Sequence, residues 1–205
     1  MSSYYYLISS LTLPVLGEKS PLSLERFMDS CSDWVSGSEY MELENVSLIP
    51  DFEIVSKNKV VNQWKNWENC LRNRVAKTRA GNLNRSAASY IQEERDVFSE
   101  IDRGVQEAYS AENPMLKEKV LDELRWKELD SLESGNQFKF AILCIYKLRL
   151  MLCEKWLTRE SEKGVRNLDD VLLDFYSPDE NDKKENGKQT TDNNSTAQNP
   201  DERQK

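Results

Sequence analysis

The chain has 205 residues, 36 acidic and 28 basic side chains, a formal net charge of −8, seven glycines, four cysteines and no histidine. Without an imidazole there is no neutral-pH base, triad partner, phosphocarrier or His ligand for zinc, so serine hydrolases, Cys–His proteases and His-containing zinc sites are excluded. No GxGxxG or GxxxxGK[ST] string is present, so no glycine-rich loop is built to wrap a phosphate.

Leu, Glu, Lys, Ser and Asn dominate while Gly and Pro are scarce, which predicts an all-α fold. The longest apolar patch, Phe138 to Leu152, is broken by Lys139, Lys147 and Arg149, so it falls short of the roughly 18 apolar residues of a membrane span. The N-terminal MSSYYYLISSLTLPVLG lacks the basic leader and small-x-small cleavage site of a secretory signal, and is read as part of the fold of a cytoplasmic protein.

In chain order, Tyr4, Tyr5, Leu7, Ile8 and Leu11 suit one face of a short helix, although three adjacent tyrosines and Thr12 also suit a strand. Pro14, Gly17 and Pro21 break regular structure. After Ser23, the spacing of Leu24, Phe27, Met28, Cys31, Trp34 and Val35 predicts an amphipathic helix ending near Gly37. A polar stretch follows, in which Pro50 limits whatever short helix precedes it.

Val60, Trp64, Trp67, Leu71 and Val75 then recur at helical spacing and predict a long helix from Lys59 to about Ala80, stopped at Gly81 and Asn82. Ala87, Tyr90, Ile91, Val97, Phe98, Ile101, Val105, Ala108 and Tyr109 predict a second, closed by Asn113. Pro114 opens a third, lined by Leu116, Val120, Leu121, Leu124 and Leu129 and ended by Gly135. Phe138, Ile142, Ile145, Leu148, Leu152 and Trp156 define a fourth, the most apolar, running toward Gly164 and expected to be the most central.

Leu168, Val171, Leu172, Leu173 and Phe175 predict a short closing helix. Residues 177–205 contain one apolar residue, Ala197, and cannot offset the entropy of ordering themselves. The expected architecture is a helical domain over 1–176, a bundle of four long helices with shorter N- and C-terminal helices, followed by a disordered polar tail.

Charge is unevenly distributed. Residues 57–85 hold eight bases, Lys57, Lys59, Lys65, Arg72, Arg74, Lys77, Arg79 and Arg85, against Glu68 alone, whereas 86–133 hold thirteen acids and six bases. The carboxylates of the third helix and its neighbours are expected to face outward. The basic block either pairs with acidic neighbours inside the bundle or forms a docking surface for an acidic partner. Trp64 and Trp67 interleave with the cations as stacking platforms for bases do, but they share the stripe of Val60, Leu71 and Val75, which directs them to the core and argues against nucleic acid.

The pairs Glu93/Glu94 and Asp169/Asp170 are adjacent on a predicted helix, so they diverge and read as solvated face. Cys31, Cys70, Cys144 and Cys153 form no CxxC and read as small buried hydrophobes. An enzyme using one of them as nucleophile would have to activate it with Arg, Lys or a helix N-terminus. No catalytic, cofactor-binding or metal-binding residues are therefore expected.

The strings WKNWENCLRNRVAKTRA (64–80), NPMLKEKVLDELRWKELDSLESGNQF (113–138) and IYKLRLMLCEKWLTRESEKG (145–164), with YYYLISSL near the start, resemble an uncharacterised bacterial family encoded among V-type ATPase subunits. The layout is similar to the helical C-type stalk component of those machines, called d in eukaryotes, which sits between the central stalk and the membrane rotor ring. The similarity covers residues 1–176. Stalk components of that type are longer and built from three related helical layers, so a reduced or divergent version is implied.

The resemblance implies a non-catalytic component that couples central-stalk proteins to the rotor ring, cytoplasmic and peripheral to the inner membrane. Arg72, Arg74, Lys77, Arg79 and Arg85 would then be the partner-binding charges and the Phe138–Trp156 stripe the core. A transient assembly or regulatory factor of the same complex is the alternative.

Overall fold

The computed structural model describes residues 4–94 and 96–157. They are all-helical: α1 (Tyr5–Ser10), α2 (Leu24–Ser32), α3 (Gly37–Asn45), α4 (Lys59–Asn82), a single 3-10 turn at Ala88–Tyr90, α5 (Ser99–Ser110), α6 (Pro114–Glu133) and α7 (Phe140–Leu157). The closing helix expected at 168–175 and the tail expected at 177–205 lie outside the described residues.

Local chemistry explains most boundaries. The Ser23 hydroxyl accepts from the Arg26 amide and starts α2, Asn58 accepts from Val60 at 2.9 Å and starts α4, and Asn113 accepts from Leu116 at 2.8 Å ahead of Pro114. Gly135, at φ +77°, supplies the left-handed turn that ends α6. The tyrosine-rich start is a helix that buries Leu7.

Three expected boundaries are corrected. α2 ends at Ser32, and Gly37 opens α3 instead of closing α2, because Ser36 and Glu39 form a reciprocal capping box that nucleates a new helix. α7 begins at Phe140; Phe138 sits before it at φ +60°, 40% exposed, with its ring 4.8 Å from that of Tyr5.

The third correction concerns the second long helix. Ala87–Tyr109 is not continuous, for only Ser99–Ser110 is α-helical. The chain before it is held extended along α4 by two asparagines one helical turn apart. Asn73 donates to the Gln92 carbonyl at 2.8 Å and accepts from the Gln92 amide at 3.0 Å, while Asn69 donates to the Glu93 carbonyl at 2.8 Å. These side-chain amides satisfy backbone groups that a helix would have satisfied internally. Glu93 and Glu94 therefore lie on extended chain, with Glu94 bonded to Asn73 and Lys77.

α7 is the central element: thirteen of its eighteen residues are buried, and α2, α3, α4 and α6 all pack against it. Its interior cations are paired, although the Arg149 Nε–H finds no hydrogen-bond partner among the described residues. Lys147 donates to the Leu43 and Glu44 carbonyls at the end of α3, at 2.9 and 3.0 Å, and Arg149 pairs with Asp130 and Glu133 at 2.6 Å each. Trp64 and Trp67 stack at 5.7 Å on the buried face of α4. Burying side chains of this size contributes about 1.5–3 kcal/mol each. α5 lies close on α6 because Gly104 has no side chain; a Cβ there would meet Leu124 at 2.6 Å. No helix among the described residues is long and apolar enough to cross a membrane.

Candidate functional site

The basic block expected on α4 divides into cations used by the fold and cations left open. Lys65 is buried and donates to the Asp51 and Ile54 carbonyls at 2.9 and 2.5 Å, with burial pushing its ammonium below the ordinary lysine value. Arg72 pairs with Glu68 at 2.9 Å, Arg74 with Asp102 at 2.7 Å and Lys77 with Glu94 at 3.2 Å. Arg79 donates to the Tyr109 hydroxyl at 3.0 Å and meets no carboxylate within ion-pair distance among the described residues. The Arg85 side chain has neither ion pair nor hydrogen bond there, and its backbone amide closes the end of α4 on the Ala80 carbonyl at 2.9 Å.

The outward-facing carboxylates expected on α6 are corrected by Asp122, which is 0% exposed, as is Glu68 on α4. Both belong to a buried ionic seam that joins three helices. Arg125 donates to both oxygens of Glu68, at 2.8 and 2.9 Å, and to Asp122 at 2.8 Å. The other Asp122 oxygen accepts from Lys155 at 2.6 Å and from the Trp156 indole at 3.0 Å, and Lys155 also reaches Glu118 at 2.9 Å. Burial works against the charge on Arg125, but Glu68 and then Asp122 more than offset it, so its guanidinium is held more firmly charged than usual. The seam thus ties α4, α6 and α7 with charge-assisted bonds whose acceptors are almost fully satisfied.

Beside the seam, a groove of about 1000 Å³ runs between the loop after α3, the C-terminal half of α4 and the start of α6. Arg79, Arg85 and Lys117 line it, together with Ile49, Leu83 and Tyr90. Lys117 is not among the sequence-derived candidates; its ammonium lies 4.4 Å over the Tyr109 ring, on the residue whose hydroxyl receives Arg79. Its signal in the sequence is weak because α6 is acidic overall, and only the fold brings its first turn opposite the end of α4.

On the opposite side of α6, Glu128 borders a second cleft of about 1050 Å³ together with Glu100 of α5. Burial, followed by the Glu100 charge, pushes the Glu128 carboxyl up to about 7. The four thiols are all buried, and burial pushes Cys31 up to about 12 and Cys153 up to about 11, with Cys70 and Cys144 raised for the same leading reason. Thiols held neutral in this way are poor nucleophiles. Among the described residues no cluster of three or more His, Cys, Asp or Glu side chains could hold a metal ion.

Comparison with known proteins reaches only the C-terminal half of this arrangement. No curated protein matches the chain, and no solved structure matches it. Residues 98–175, which take in α5, α6 and α7 but leave out the basic helix α4, match the model of a family described as a protein of unknown function (DUF2764).

Proposed function

We propose that the chain is a non-catalytic component of a V-type ATPase or ATP synthase that couples the central stalk to the membrane rotor ring, held at the cytoplasmic side of the inner membrane by that complex. The observation that carries the reading is the buried seam of Glu68, Arg125, Asp122 and Lys155, which fastens three long helices to one another while the end of α4 keeps Arg79 and Arg85 open. A part that transmits torque must resist deformation, and densely packed helices cross-tied by short ionic bonds have low compliance. In this reading α4, α5, α6 and α7 act as a four-helix bundle flanked by the shorter N-terminal helices.

Of the five charges assigned to partner binding, Arg72, Arg74 and Lys77 support the docking face from within, and Arg79 and Arg85 make the contact. The double substitution Arg79→Glu/Arg85→Glu is expected to lose stalk and ring proteins on affinity purification from native membranes, with an unchanged circular-dichroism melting curve. Retention of the full set of ATPase proteins by that variant, or capture of none of them by the unsubstituted chain, would overturn the proposal.

A second reading, a transient assembly or regulatory factor for the same complex, is favoured by the small open charge set, since three of the five cations are already matched internally. Stoichiometric retention through purification supports a permanent component; loss on washing supports the factor.

A further inference from the structure

We infer that the groove beside α4 is a docking site for an acidic segment of another protein that carries apolar side chains. The groove has two chemistries. Above an apolar floor that includes the buried Leu71 and Leu121, three of its apolar members stand far into solvent: Ile49 is 70% exposed, Leu83 66% and Tyr90 77%. A cluster of this kind at the mouth of a concave surface marks a site that something else covers. Its charged lining is mostly cationic: Arg72, Arg125 and Lys155 are paired with carboxylates, Glu118 and Asp122 among them on the same wall, whereas Arg79, Arg85 and Lys117 have no carboxylate partner among the described residues. The neighbouring cations Arg72, Arg74 and Lys77, by contrast, are all matched.

The cations are also held in place. Tyr109 accepts the Arg79 bond on its hydroxyl and presents its ring to Lys117, so two positive charges are kept side by side instead of spreading into solvent. Arranging like charges together costs free energy that an incoming carboxylate recovers, and this is the charge complementarity that selects an acidic partner. The aliphatic Ile49 and Leu83 then select against a purely ionic ligand, because a polyanion leaves them uncovered. Nucleic acid is the poorer fit: Tyr90 is the one exposed ring in the groove, while Trp64 and Trp67, the side chains suited to base stacking, are buried.

The inference rests on the docking reading above only in concerning the same end of α4, and it fails separately because its test needs no ATPase. The probe is a fluorescein-labelled peptide, about four helical turns long, of alternating Leu-Leu and Glu-Glu pairs, titrated with the full-length protein and followed by anisotropy. Saturable binding is expected, weakened about tenfold or more by Arg79→Glu/Arg85→Glu/Lys117→Glu and separately by Leu83→Asp, with both melting curves unchanged.

Three outcomes overturn the assignment: absence of saturable peptide binding, equal affinity for polyglutamate of the same charge, or tighter binding of a single-stranded oligonucleotide. Self-association that the triple variant abolishes, seen by sedimentation velocity, would also overturn it, by giving the groove to a second copy of the chain. Peptide binding without ATPase capture would sink the ATPase reading alone; ATPase capture without peptide binding would sink this one alone.

Discussion

The two sides of α6 treat carboxylates in opposite ways. Toward α4 and α7, Asp122 is fully buried yet stays among donors, with Arg125, Lys155 and the Trp156 indole within 3.0 Å. Toward α5, the half-buried Glu128 has no ion pair among the described residues, and burial, followed by the Glu100 charge, pushes its carboxyl up to about 7. Depth alone therefore does not decide the cost of a charge. What decides it is whether the helices packed around it bring donors. One side of α6 is a fastening, and the other is a place where the fold accepts a loss.

The strongest way to break this contrast is to remove one member of the fastening. Glu68→Ala leaves Arg125 with half its partners in a largely buried site that water poorly reaches, and leaves the more exposed Arg72 without its ion pair. The expected cost is about 3–5 kcal/mol in urea denaturation, the range for a buried pair broken from one end. A cost below about 1 kcal/mol would mean that the seam is wetter than its burial indicates, and the mechanical reading built on it would lose its support.

The opposite sign is expected on the other side. Because the folded carboxyl of Glu128 holds its proton up to about 7, against an ordinary value of 4.5, the folded chain binds more protons than the unfolded chain between those pH values. Stability contributed at this position is intact below pH 4.5 and is lost as pH rises through 7. Glu128→Gln removes that loss. It is expected to leave stability unchanged at about pH 4 and to raise it at about pH 8 by roughly 1–2 kcal/mol, after allowance for solvent screening. Equal stability of the two chains at both pH values would show that Glu128 ionises freely.

How far these features can be read in the sequence follows from their range along the chain. The stripes of α4, α6 and α7, the Pro114 start and the Gly135 stop are local, and helical spacing exposes them directly. Within the seam, Glu68–Arg72 and Asp122–Arg125 stand four and three residues apart, which is visible. The link that makes them one structure, Arg125 to Glu68, spans 57 residues and is fixed only by how α4 meets α6.

The broken second helix is the complementary failure. Ala87 to Tyr109 carries an apolar repeat compatible with a helix, and what prevents it is a pair of asparagines on a different helix. Asn69 and Asn73 are spaced so that both fall on one face of α4, and polar residues so close to the buried Trp64, Trp67, Cys70 and Leu71 are the one signal the sequence holds. Tertiary hydrogen bonding overrides a local preference there. The same reasoning explains why Lys117 is hard to find from sequence: its role depends on an α4–α6 juxtaposition, not on its neighbours in the chain.

The smallest effect is expected where a cation and a carboxylate pair in the open. Arg74 and Asp102 meet at 2.7 Å with side chains 31% and 48% exposed. Water competes for both partners, salt screens them, and two side chains lose freedom by meeting. A double-mutant cycle of Arg74→Ala and Asp102→Ala should therefore give a coupling of about 0.2–1 kcal/mol that shrinks further in roughly 0.5 M salt. The value matters beyond its size. A small, salt-sensitive coupling means that Arg74 can exchange Asp102 for an incoming carboxylate at little cost, which keeps it available as a supporting charge for the docking face. A coupling near that of the buried seam would instead make Arg74 part of the structural framework, and the docking surface would contract to the groove cations alone.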